Sequence, residues 1–134
     1  MTFEPILLLS MWAAGLALVA AVVAWWDIVG RGYLWLTGVT AAVIGLAAAF
    51  DSTPGIIAVV LTLAATVIAG QRVASSALFA AGGVAFLTVA AGLDGWIPAI
   101  AGSAALGGIT GEMLLGHWFL IDPRLPRWAL RRLD

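Results

Sequence analysis

The chain has no cysteine and no lysine, and a single histidine among 134 residues. Without cysteine there are no disulfides, thiolate metal sites, iron–sulfur ligation or cysteine nucleophile within the chain. Without lysine, Schiff-base chemistry is excluded, a retinal linkage included. Charge is scarce too, at 10% of residues with a net charge of −1, so no basic field exists to attract nucleic acid. No Ser-His-Asp set can be drawn, because the hydroxyl-bearing residues are scattered and His117 falls at the inner edge. One histidine without thiols does not make a three-ligand metal site, so the sequence reads as non-catalytic. What is present in quantity is apolar: 63% of residues are hydrophobic and mean hydropathy is +1.12. Apolar runs of about 20 residues mark bilayer-spanning helices rather than a water-soluble core.

Five such segments emerge, at 3–26, 33–50, 54–70, 73–93 and 96–121. They are predicted to be helices, because an open sheet edge cannot be satisfied in lipid, and they lack the alternation of a barrel. The first could be mistaken for a cleaved leader. It carries Glu4 instead of a basic start and ends in AVVAWWD with no small-residue cleavage pattern, so it reads as a retained helix. The fold class expected is therefore an all-α, polytopic membrane bundle of about five spans at 1–121. A tail at 122–134 follows. Loops of a few residues predict antiparallel packing of sequential helices.

Arginine placement predicts orientation. Arg31, Arg72 and the four arginines after residue 121 fall after spans one, three and five, whereas Glu4, Asp51 and Asp94 fall on the other side. The positive-inside pattern then places the N-terminus outside and the C-terminus inside a bacterial-type cytoplasmic (inner) membrane. Trp25, Trp26, Tyr33, Trp35, Trp118 and Trp128 are expected near the inner boundary and Trp96 near the outer one, as lipid-interface anchors.

The last span holds the candidate site. Glu112 lies in GGITGEMLLGHWFL, about 5–7 Å below the expected midpoint of that helix. A carboxylate there costs about 2.5–3.5 kcal/mol by insertion scales unless it is protonated or paired. Ala101, Ala105, Gly108, Glu112 and Gly116 recur at three- and four-residue steps, and Gly107 and Gly111 form a second small-residue pair beside them. These are the predicted helix-packing positions, and Glu112 is expected to face a helix seam, within the chain or against a partner. Thr37, Thr40, Thr62, Thr66, Ser76 and Arg72 are its candidate partners within the chain. The plainer reading is a buried carboxyl that locks packing. The others are a proton or ion site and a pair with a basic group of another subunit.

His117 is five residues on, about 140° around the helix, so it does not complete a metal pair with Glu112. It is expected at the cytoplasmic interface beside Trp118, with contact to a quinone or to a haem shared with a partner as the sharper alternative. In the tail, Arg124, Arg127, Trp128, Arg131 and Arg132 suit an amphipathic piece on anionic lipid or a docking contact with a partner subunit. The chain alone is expected to hold no cofactor beyond lipid. The function predicted is an accessory or structural subunit of a larger, energy-transducing membrane complex, partnered by lipids and by other membrane subunits or itself. The alternative is a homo-oligomeric channel or transporter for protons or small ions through Glu112.

Overall fold

The computed structural model describes residues 4–121. The tail positions Arg124, Arg127, Trp128, Arg131 and Arg132 lie outside the described residues. Five α-helices follow one another: α1 Pro5–Trp26, α2 Arg31–Ala49, α3 Thr53–Val67, α4 Arg72–Asp94 and α5 Trp96–Ile121. Among the described residues there is no strand.

Local chemistry explains the breaks. Asp27 closes α1 in the left-handed region (φ 52°), its N–H reaching the carbonyls of Val23 and Ala24. Aspartate is one of the few residues with a side chain that visits that region readily. Ser52 caps α3, its Oγ accepting from the Gly55 N–H at 3.2 Å, with Pro54 in the first turn. Gly95 alone separates α4 from α5, at φ 87°, a conformation that favours glycine.

Four of the helices, α1, α2, α4 and α5, are long and apolar enough to cross a membrane. The third is shorter than its apolar segment. It has 15 residues, about 22 Å at 1.5 Å per residue, against about 30 Å of hydrocarbon. The chain turns at Ile68–Gln71, where the Gln71 N–H donates to the Ile68 carbonyl at 2.8 Å. The turn is packed from outside: a Cβ on Gly70 would collide with the Arg31 guanidinium.

Helices α1 to α4 close into a ring in which α1 packs on α2 and α4, and α3 on α2 and α4. Alanine makes this possible. Ala13, Ala14, Ala17, Ala20, Ala21 and Ala24 are all buried on α1, letting three neighbours approach one helix. Two phenylalanines fill the centre, with Phe79 against Gly38 and Phe86 against Gly45. Hydroxyls tie the ring: Ser76 Oγ donates to the Ala21 carbonyl at 2.8 Å and Ser75 Oγ to Ala65 at 3.0 Å.

Outside this ring lies α5, on α1 and the edge of α4. It runs parallel to α1, with Gly102 beside Met11, Gly107 beside Gly15 and Gly111 beside Val19. Trp12 Nε1 donates to Thr110 Oγ1 at 2.9 Å across this pair. Hydrogen bonds between membrane helices average about 0.6 kcal/mol, because alternative partners exist in the unfolded reference. Trp12→Phe is therefore expected to lower stability by about that amount in a detergent-unfolding titration. A loss several times larger would mean that packing around the indole, not this bond, holds α5.

Tyr33 departs from the expected interface belt. It is fully buried, its hydroxyl donates to the Gly111 carbonyl at 3.3 Å, and its ring meets Trp118 edge-on at 6.2 Å and 74°. Gly32, which has no side chain to obstruct it, lets the Trp118 ring close over this corner. Trp25, Trp35 and Trp96 remain more than half exposed.

Candidate functional site on helix α5

The buried face of α5 repeats every four residues: Ala99, Ser103, Gly107, Gly111 and Leu115. Its closest point is Gly107 on Gly15, where a Cβ on either glycine would lie inside the other's backbone. Gly107 and Gly111 thus sit in the α1 seam.

The stripe beside it is turned away. Ala105 is exposed, as is Ala101, while Gly108, Glu112 and Gly116 are half-buried. A Cβ on Gly108 or Gly116 would meet nothing within 4 Å. Within the chain, then, the close-packed line runs through Gly107 and not through Gly108, about 100° further round. The reason lies on α1. Met11, Gly15 and Val19 present a four-residue repeat that fits Gly102, Gly107 and Gly111, and α1 has no second glycine to receive another face.

Glu112 follows Gly108 by one turn along that half-buried edge. Several of the side chains that could have reached it are otherwise engaged. Thr40, Thr62 and Thr66 donate to the carbonyls of Leu36, Ala58 and Thr62, each at 2.8 Å, and Ser76 donates to Ala21. Arg72 lies over the Trp25 ring at 4.9 Å. Thr37 is buried on α2. His117 is exposed, its neighbour Trp118 being the ring that packs inward. Among the described residues no group of three or more His, Cys, Asp or Glu could hold a metal.

Between α1, α4 and α5 lies a groove of about 260 Å³. Gly15, Ala104 and Gly108 leave its floor low, Leu18, Leu87 and Ile100 wall it, and Ser103 is its polar residue. Sequence reading missed both this groove and Gly15. The available signal was that Gly15 is the one glycine in an α1 otherwise made of larger residues.

These features define a class: an all-helical bundle built on small-residue packing, four of whose helices are long and apolar enough to cross a membrane. Beyond that class the geometry stands alone, since no protein-family model, curated protein or solved structure matches the chain.

Proposed function

We propose that the chain is a non-catalytic membrane subunit that docks through the outer face of α5 onto other membrane subunits. One observation carries this reading. Only 17% of the most apolar stretch of α5 is buried, against 50% in α1 and α2 and 33% in α4. Yet α5 carries the small residues Ala101 and Ala105 on the side that the bundle leaves uncovered, with Gly108, Glu112 and Gly116 half-buried along its edge. Lipid tails gain little from small residues, whereas another helix packs closely on them. The sparse chemical inventory supports the non-catalytic part, with one histidine and no cysteine or lysine in the sequence.

An N-outside, C-inside arrangement in a cytoplasmic membrane belongs to the same reading. Arg31, Arg72, Trp25 and Gly70 meet at one end of the bundle. The short α3 pairs along its length with both neighbours, Gly55 beside Ala49 near its start and Ala65 beside Ser75 near its end. That pairing is what a fifth crossing requires, and with five crossings the arginines share one side.

The test is a photo-crosslinking residue at Ala105, compared with one at the exposed Val60 on α3, in the native membrane. A discrete heterologous adduct is expected from position 105 and only lipid from position 60. A homo-oligomer crosslinked at 105, whose proton flux falls on Glu112→Gln, would overturn the subunit reading in favour of transport.

A further inference from the structure

Two arginines begin helices at the same end of the bundle. Arg31 opens α2 and Arg72 opens α4. A helix start is the positive end of the helix dipole, so a cation there stands in an unfavourable field. Nothing local offsets it. Neither first turn carries an acid, and the N-caps Gly30 and Gln71 give no side-chain cap.

Packing gathers these charges at the mouth of the ring. The Arg31 guanidinium reaches from α2 onto Gly70, two residues before Arg72, and takes the place a Cβ would occupy there. Arg72 lies over the Trp25 ring at 4.9 Å, a contact that supplies no acceptor oxygen for its N–H donors. Among the described residues neither guanidinium has a hydrogen bond or an ion pair. Asp27, the acid at this end, closes α1 through its own N–H and pairs with neither. Two sets of donors suited to a phosphate therefore stand unfilled side by side.

Depth and surroundings select the anion. With 23 residues, α4 is about 34 Å long, slightly more than the roughly 30 Å of hydrocarbon in a bilayer. Arg72, at its start, thus falls at the hydrocarbon boundary, and contact with Gly70 keeps Arg31 at the same level. Trp25 and Trp35, both more than half exposed, suit that boundary. Apolar surface leads from it into the bilayer. Trp35 is one turn on from Arg31, and Val67, 78% exposed, ends α3 just before Gly70. A soluble anion gains nothing from that surface, and a choline headgroup would bring a second cation to the arginines.

We propose that Arg31 and Arg72 hold the headgroup phosphate of one anionic phospholipid, with an acyl chain lying along Trp35 and Val67. The lipid bridges the starts of α2 and α4, which hardly touch directly. The site rests on the bundle crossing a bilayer, but it needs neither docking through α5 nor a particular orientation.

The experiment titrates the full chain in detergent with dioleoyl phosphatidylglycerol or dioleoyl phosphatidylcholine and counts bound lipid by native mass spectrometry. One phosphatidylglycerol per chain is expected to bind first, preferred over phosphatidylcholine by roughly thirtyfold, the size expected of two arginines at an anionic surface. Arg31→Gln with Arg72→Gln should remove the preference, whereas Arg124→Gln with Arg127→Gln should keep it. Equal binding of the two lipids overturns the proposal, as does a preference that survives the first pair of substitutions. Loss of the preference with the second pair overturns it too, since general attraction to arginines would then suffice. Displacement of the lipid by millimolar inorganic phosphate would make this a site for soluble anions instead. Should the Arg31, Arg72 variant fail to fold, a photoactivatable phosphatidylglycerol on the unmutated chain decides. Its label should map to residues 25–35 and 67–73, and a label spread evenly along the helices overturns the site. Docking through α5 is read separately, by the adduct at Ala105.

Discussion

Gly107→Leu is expected to detach α5 from the bundle, while Gly108→Leu leaves the fold intact. The two positions are adjacent and chemically identical, and only their surroundings differ. A Cβ on Gly107 would fall within the Gly15 backbone, whereas one on Gly108 meets nothing within 4 Å. Overpacked cores lose about 1–3 kcal/mol when side chains can yield, and occasionally more. Here the obstacle is main chain, so no rotamer change relieves it and the helices must separate. Since α5 packs mainly on α1, with lesser contacts to the edge of α4 and to Gly32 and Tyr33 of α2, losing the α1 seam removes most of what retains it. The absence of native cysteine makes the readout clean. A Met11→Cys, Gly102→Cys pair would bridge α1 and α5, because the Met11 side chain lies where a Cβ on Gly102 would stand. Its oxidative crosslinking should collapse in the Gly107→Leu background and persist with Gly108→Leu. Equal yields in both would mean that the glycine contact does not set the approach of α5.

That pair of glycines also shows where sequence reading stops. Hydropathy suffices to see an all-helical chain with five apolar segments, because helices alone satisfy the backbone in lipid. It does not choose a face. Small residues stand at 99, 101, 102, 103, 104, 105, 107 and 108 of α5, so several stripes satisfy the small-residue rule equally. The choice is made by α1, whose Gly15 admits Gly107, and a pairing between segments so far apart in the chain leaves no trace in either one alone. Glu112 is legible as an oddity from its charge. Its position on the half-buried edge, one turn past Gly108, is not.

Tyr33 and Ser103 escape sequence reading for related reasons. An aromatic near a span end reads as an interface anchor, since a polar tip and an apolar body suit that depth. Burial of Tyr33 depends on the Gly111 carbonyl and the Trp118 ring, both on the last helix, α5. Ser103, like Ser10 and Thr37, is buried with a hydroxyl that has no hydrogen-bond partner among the described residues, which is a matter of geometry and not of residue type. The shortness of α3 has a partial signal in Gly70-Gln71, but apolar composition alone continues the span through it.

Phe86→Ala is expected to be the most damaging substitution in the ring itself. Helices α2 and α4 run parallel but hardly touch directly, and the gap between them is filled by Phe79 on Gly38 and Phe86 on Gly45. Seven residues separate both glycines and both rings, so one knob-and-hole contact is repeated a heptad further along. Phe86 is fully buried, and truncating such a ring in water-soluble cores costs about 3–5 kcal/mol. In a bilayer the transfer part of that cost largely disappears, because lipid is as apolar as the core. The cavity and lost contacts remain, which places the expected loss near the lower end, about 3 kcal/mol. Gly45 supplies the decisive comparison. With Phe86 present, a Cβ at 45 collides with the ring, so Gly45→Val should destabilise. With Phe86 removed, the same valine enters the vacated space and should restore part of the loss. The sign of the Gly45→Val effect is thus expected to reverse between the two backgrounds, a coupling that a double-mutant cycle of detergent-unfolding free energies measures directly. Simple additivity would show that Phe86 does not plug the gap at Gly45.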